Sequence, residues 1–286
     1  MGTLALRQGN LLQAENYYKE ALNIFQLLNE PISESTAWHN LGMVYQSASV
    51  LDEAEQAYRQ SAEIRETHNI IAGENGALAS WIQLAYVNAL AGRLHEAEEW
   101  YQKTVSASKA IGDKVLASLA LEHLADLLRK YPYRLSEAHK FAEEALAIKQ
   151  TLDPATAEIW SIYHILAEIS EARQQTNAAH IYRKQARQAR AAYKGTNYEL
   201  GQVVEFITDV VTALEDNDAR QQLEADLLGL DQEDQDMQKL VAAIRQIWAG
   251  ERDEDTLCES LTPNAAMIVL AILRGIDDPA SLEGFQ

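Results

Sequence analysis

The stretch Trp38-His-Asn-Leu41-Gly42-Met-Val-Tyr45 decides the fold, read together with Ala54-Glu-Gln-Ala-Tyr58-Arg-Gln-Ser61 beyond a short break at Ser49-Val50. Its apolar and small residues fall three and four apart, which places them on one face of a helix. The first half reads as one helix, the break as a tight turn, and the second half as another helix. Gly42 and Ala54 are small enough for two helices to approach closely, and the aromatic rings fill the groove between neighbouring pairs.

The same phrase recurs along the chain. Its second half returns as Ala14-x-x-x-Tyr18-x-x-Ala21, Ala97-x-x-x-Tyr101-x-x-Thr104, Ala138-x-x-x-Ala142-x-x-Ala145 and Ala178-x-x-x-Tyr182-x-x-Gln185. Successive anchors lie 40, 43, 41 and 40 residues apart. The first half returns as Trp81-x-x-Leu84-Ala85, Leu121-x-x-Leu124-Ala125-x-x-Leu128 and Tyr163-x-x-Leu166-Ala167, with breaks at Gly9-Asn10, Gly92-Arg93 and Pro132. Five helix pairs follow from this spacing. The first is incomplete, because Met1 and Gly2 stand at the Leu41-Gly42 positions and the Trp38 position has no counterpart. Such an opening is expected of a piece of a longer protein or of an array with a worn first unit.

Trp38, Leu41, Gly42, Tyr45, Ala54 and Tyr58 match the W-x2-L-G-x2-Y and A-x3-F signature one for one, and the chain resembles the tetratricopeptide repeat (TPR) family. The period is longer than the usual length of about 34 residues, and in this it resembles kinesin light chains and the sensor arrays of bacterial signalling ATPases. The resemblance implies an all-α fold, a right-handed superhelical solenoid of helix pairs. It divides the chain into a TPR array over residues 1–192 and an acidic helical region over 193–286 that caps it.

The composition agrees with a helical chain. Only 5 prolines and 13 glycines occur in 286 residues, too few for a turn-dense β protein. Beyond the turn-forming Tyr193–Tyr198, Val203, Ile207, Val210 and Leu214 recur at helical spacing, as do Leu240, Ile244, Ile247 and Trp248. Thr262-Pro263 opens a last helix through Leu273, with Gly275 as its expected stop.

The formal net charge is −19, of which residues 201–286 contribute −14. A surface so acidic repels phosphate backbones and anionic lipid, so neither nucleic acid nor a membrane is an expected partner. The longest apolar run, Ala265–Leu273, is about half the length a spanning helix needs. With no signal core at the N-terminus and a single cysteine, Cys258, the chain is expected to be cytoplasmic.

Chemistry-bearing motifs are missing. No Glu-x-x-His, His-Glu-x-x-His, Cys-x-x-Cys, phosphate-binding glycine loop or Gly-x-Ser-x-Gly elbow occurs, so no cofactor and no metal is expected. Cys258 lies among acidic residues, which raise a thiol pKa and disfavour a nucleophile. Glu122 and Asp126, like His164 and Glu168, are pairs one turn apart. On a repeat helix they read as a polar stripe rather than as acid–base or metal-binding pairs. The run Asp231–Asp236 lacks the glycine and terminal glutamate of a calcium loop and reads as a solvated face.

In the TPR family the first helix of each pair lines a concave face. Carried over by register, the resemblance puts Thr36, His39, Met43 and Gln46 there, then Ile82, Tyr86, Ala89 and Leu90. Leu119, Glu122, Asp126 and Arg129 follow, then His164, Glu168 and Glu171. Family members that grip a terminal carboxylate use Lys, Arg and Asn at the inner positions, where this chain has His39, Met43, Ile82, Tyr86, Glu122 and Asp126. The expected partner is a protein or peptide with apolar anchors and a basic end. The exposed first repeat also offers a surface for self-association. The function expected is a non-enzymatic interaction scaffold; the alternative is a ligand- or peptide-sensing regulatory domain of a larger signalling protein.

Overall fold

Helices form where the repeat places them. The structure, a computed structural model, describes residues 1–71, 76–153, 157–193, 195–230 and 235–285. Contacts group the chain into two compact units, Met1–Ala145 and Leu146–Gln286.

The first unit begins with α1 (Gly2–Arg7) and α2 (Leu11–Leu27), then α3 (Pro31–Ser47) and α4 (Leu51–Thr67). The third pair is α5 (Ala77–Leu90) and α6 (Leu94–Ile111). The fourth is α7 (Lys114–Arg129) and α8 (Leu135–Lys149), whose last turn belongs to the second unit. From α1 to α7 each helix packs against the next, and α5 also touches α7.

The turns share one backbone device. Asn10 N–H donates to Ala5 O at 2.9 Å, Val50 to Tyr45 at 2.9 Å, and Arg93 to Asn88 at 2.9 Å, closing three helices in the same six-residue loop. That loop needs a left-handed residue just before the donor. Gly9 and Gly92 supply it at φ 73° and 75°, and Ser49 adopts it at φ 59°. The fourth turn differs, with Pro132–Arg134 forming a single 3-10 turn in place of the loop.

The small and aromatic positions of the repeat are the core. Ala54, Tyr58, Trp81, Leu84, Ala97 and Tyr101 are all buried. The approach is closest at Gly42, where an added Cβ would lie 2.6 Å from the ring of Tyr58. Nothing larger than hydrogen fits at this backbone spacing.

Arg65, in the last turn of α4, is 1% exposed. Its Nε donates to Ser35 Oγ at 3.1 Å, and its Nη1 donates to Gly76 O at 3.1 Å and Ser80 Oγ at 2.9 Å. Burial pulls the guanidinium down to about 10. Its acceptors belong to α3, to α5 and to the residue before α5, so one side chain ties two successive repeats together. The cation also lies at the negative end of the α4 dipole. The second unit repeats the device. Lys149 ends α8 and donates to Glu158 O at 3.2 Å and Ser161 Oγ at 3.1 Å, at the start of the next repeat.

In the second unit α9 (Ile159–Ala172) pairs with α10 (Thr176–Ala192). Then come α11 (Thr196–Gly201), α12 (Val204–Thr212), α13 (Asn217–Leu230), α14 (Gln235–Trp248), α15 (Glu254–Cys258) and α16 (Pro263–Asp277). Ile207, Val210, Val241, Ile244, Val269 and Ile272 form their common core. Helix α16 lies against α9, α10, α12 and α14. Arg183 of α10 reaches Glu259 at 3.0 Å, Arg187 pairs with Asp255, and Arg190 pairs with Glu199 and donates to Asn264 at 3.1 Å.

One sequence expectation changes here. Gly275 does not stop α16, which continues to Asp277; the glycine instead admits Leu282, whose Cδ1 would lie 2.8 Å from an added Cβ. The acidic stretches after α12 and α14 take part in the fold. Asp216 Oδ1 accepts from Asp218 and Ala219 N–H at 2.9 and 3.1 Å, and Asp253 Oδ1 accepts from Thr256 N–H at 2.8 Å. Both acids cap helices, where carboxylates are favoured by the free N–H groups and the dipole.

Candidate partner-binding face

The first helices of pairs two to four stand side by side in the first unit. His39 Nδ1 of α3 lies 3.1 Å from Ser80 Oγ of α5, and the rings of Tyr86 in α5 and His123 in α7 are 6.3 Å apart. The residues expected on the face fall into two rows on these helices, of different depth.

The row of His39, Ile82 and Glu122 is set inward. Ile82 is 6% exposed and is corrected here from a contact residue to a packing residue, because α5 is flanked by α4, α6 and α7. His39 is part-buried and lies edge-on to Tyr58, with ring centroids 5.2 Å apart. Burial, with the nearby Arg65 charge, lowers its pKa to about 4, so it is neutral at pH 7. Glu122 is likewise part-buried.

The row of Met43, Tyr86 and Asp126 faces outward. Met43 and Tyr86 are each 39% exposed, and Leu90, one turn beyond Tyr86, is 51% exposed. Asp126 is bound on its own helix by Arg129 Nη2 at 2.7 Å and Lys130 Nζ at 3.4 Å. The acidic end expected of this face therefore has its outward carboxylate already compensated. Gln46 is partly committed too, its Oε1 accepting from Tyr58 Oη at 2.9 Å. His164 and Glu168, one turn apart on α9 in the second unit, approach to 3.7 Å.

The reactive readings find little support in the geometry. Cys258 is 1% exposed, and burial, ahead of the neighbouring acids Glu254 and Asp255, pushes its thiol up to about 11. A thiol so placed carries almost no thiolate at neutral pH. Among the described residues no three His, Cys, Asp or Glu side chains are grouped to hold a metal ion. Residues 231–234 of the acidic run Asp231–Asp236 lie outside the described residues. No helix among the described residues is long and apolar enough to cross a membrane.

Sequence reasoning missed Arg65 and the sandwiching of His123 between Tyr86 and Tyr101, whose ring is 5.9 Å away. Charged residues are ordinarily exposed, and the signal for Arg65 is only a cation in the last turn before a Ser-bearing helix.

The His39 environment gives a pH dependence. Its folded pKa, about 4, lies below its ordinary value of 6.5, so the stabilisation is present above pH 6.5 and is lost as pH falls toward 4. The ceiling is about 3 kcal/mol for a fully buried ring, and about half that is expected for this part-exposed one. His39→Gln keeps a polar group toward Ser80 without titrating in this range. Urea midpoints at pH 7 and 4.5 should fall less in the variant than in the wild type, and equal falls would refute the assignment.

A stack of helix pairs with a continuous outward row of apolar and polar side chains is the build of a protein-interaction scaffold. Residues 1–67 and 76–151, half of the chain, match the tetratricopeptide repeat family. The chain belongs to that family. Solved structures share the fold. RapI in its apo form aligns with a TM-score of 0.63 and 14% identity over 99% of this chain and 96% of its own. BtubC from P. vanneervenii aligns at 0.60 and 21% identity over 67% and 77%. The Rap conjugation gene regulator of the plasmid pLS20, solved with a Phr peptide, aligns at 0.52 and 13% identity over 97% and 73%. Among curated proteins no significant match is found.

Proposed function

We propose that the chain is a non-enzymatic scaffold that binds a peptide or an extended segment of a partner protein along the row of Met43, Tyr86 and Leu90. The observation that carries this reading is their exposure. These three large apolar side chains lie on the first helices of consecutive repeats, and the packing of the repeats does not consume them. Apolar side chains spaced along preformed helices suit a ligand with alternating anchors, and the rigid array adds little ordering cost of its own. The basic end once expected of the ligand finds Asp126 already paired, so the anchors contribute the larger share of affinity. Residues 193–286 act in this reading as a cap for the array, with α16 against α10.

Selection of displayed peptides against the full chain tests the proposal. Enriched peptides should lose at least tenfold in affinity on Tyr86→Ala or Leu90→Ser, a hot-spot-sized loss of about 1.4 kcal/mol or more. Ile111→Ser, another exposed apolar position outside the row, should leave them unchanged. Selected peptides indifferent to Tyr86 and Leu90 would place binding elsewhere. A second reading, a sensor, draws on the fold shared over nearly the whole chain with a regulator solved with a peptide. Scattering of the full chain with and without a selected peptide separates the two: a change in dimensions marks a sensor, and none marks a scaffold.

A further inference from the structure

Within the second unit, α10 carries Lys184, Arg187 and Ala191 three and four residues apart, on one face of the helix. Helix α16 carries Leu270, Leu273, Arg274 and Asp277 in the same spacing. These two faces border a hollow of about 400 Å³, with Glu254 and Asp255 of α15 also on its wall. A narrower cavity of about 40 Å³ adjoins it and shares Arg187, Ala191, Leu270 and Arg274.

Arg187 is the buried group common to both, at 6% exposure. Its Nη2 pairs with Asp255. Its Nη1 is buried and meets no hydrogen-bond acceptor among the described residues. A buried N–H on a cation is costly to leave without an acceptor. The narrower cavity has room for the two oxygens of a carboxylate beside it. Two guanidinium groups, Arg187 and Arg274, line that cavity, and among the described residues no acid does. Leu200, Met267 and Ala271 form the rest of its apolar wall.

The larger hollow has the opposite character. Glu254, Asp255, Asp277 and Asp278 all lie on its wall, the last two exposed. Four carboxylates repel a bare polyanion such as phosphate but attract an ammonium group. Between the two charged ends Ala191, Leu270 and Leu273 supply hydrocarbon.

We infer that this site binds a small aminocarboxylate, in chemical class a free amino acid with an aliphatic side chain. The carboxylate lies toward Arg187 and Arg274, where a planar fork suits its two oxygens. The ammonium lies toward the acids of α15 and α16. A hollow of this volume is of the size that small ligands occupy. The inference is independent of the Met43–Tyr86–Leu90 row, so either can fail without the other.

Leucine is the probe, with N-acetylleucine, leucinamide and inorganic phosphate as controls. Binding to the full chain is read from the guanidinium resonances of isotope-labelled arginine, with Arg187 assigned by its loss in Arg187→Lys. Leucine should shift the Arg187 resonance saturably. N-acetylleucine, without the ammonium, and leucinamide, without the carboxylate, should each bind about tenfold more weakly or worse. Arg274→Gln, at an exposed position, should weaken leucine, and Tyr86→Ala should not. Asp277→Asn should weaken leucine but leave N-acetylleucine unchanged, a difference that a merely structural role would not produce. No saturable shift with leucine at tens of millimolar would assign Nη1 to water alone and overturn the inference. Equal binding of the three leucine compounds, or tighter binding of phosphate, would overturn it as well.

Discussion

Gly42→Leu should lower the stability of the first unit by about 3 kcal/mol, the upper end of the overpacking range. The expectation rests on the ring of Tyr58, which is fully buried and would lie 2.6 Å from the first added carbon. The ring is held at both ends, by the Gln46 hydrogen bond and by His39 on its edge, so it has no free rotamer to move into. Gly42→Ala tests the same contact at smaller scale. There the helical preference of alanine, worth up to about 1 kcal/mol, offsets part of the clash. Alanine already stands at the equivalent position of the third repeat, where Ala85 and Tyr101 are both buried. Close to an ångström of added separation brings a methyl group into ordinary contact with the ring, whereas an isobutyl group needs far more. Denaturant midpoints of the two variants should therefore differ widely, with Gly42→Ala near the wild type. A leucine variant as stable as the alanine one would show that the helices are not in contact here.

The second large effect is expected at Arg65. Arg65→Ala removes three hydrogen bonds from a fully buried guanidinium, takes a donor from Ser35 Oγ, Ser80 Oγ and the Gly76 carbonyl, and leaves a cavity between repeats. A loss of about 3–4 kcal/mol follows from unsatisfied acceptors and lost packing together. Arg65→Met fills most of the volume and removes a charge that has no carboxylate partner among the described residues. Holding an unpaired cation in the interior is itself costly, so relief of that cost should hold the methionine loss to about half. Equal losses for Ala and Met would assign the whole effect to hydrogen bonding and none to burial of charge.

The repeat was legible because packing at a small–aromatic contact demands residue types that recur in register. Trp38, Tyr58, Trp81 and Tyr101 could be found by spacing alone, and the turns followed from what lies between them. Depth on the first helices was not legible. Ile82 and Tyr86 share a face by periodicity, yet one is buried and the other open, and only the flanking helices decide which. Arg65 was invisible for a different reason. Its acceptors come from α3 and from the start of α5, fifteen residues on at Ser80, and sequence composition argues for exposure of any arginine. The capping acids were not legible either, because charge density speaks only for the surface, whereas Asp216 and Asp253 are fixed by the free N–H groups of the helices they open. Gly275 was read by the rule for helix ends, and a close approach from Leu282 proved the stronger demand.

The lone cysteine has a practical consequence. Cys258 lies inside the apolar cluster of the second unit beside Leu257 and Leu261. A thiol-specific dye therefore cannot reach it until that cluster opens. Its rate of modification is an intrinsic clock for breathing of the C-terminal bundle, needing no engineered label. Tryptophan emission draws on both units, with Trp38, Trp81 and Trp100 in the first and Trp160 and Trp248 in the second, and so follows opening of the whole chain at the same time. Thiol modification that outruns the change in emission would mark the C-terminal bundle as the first part to let go.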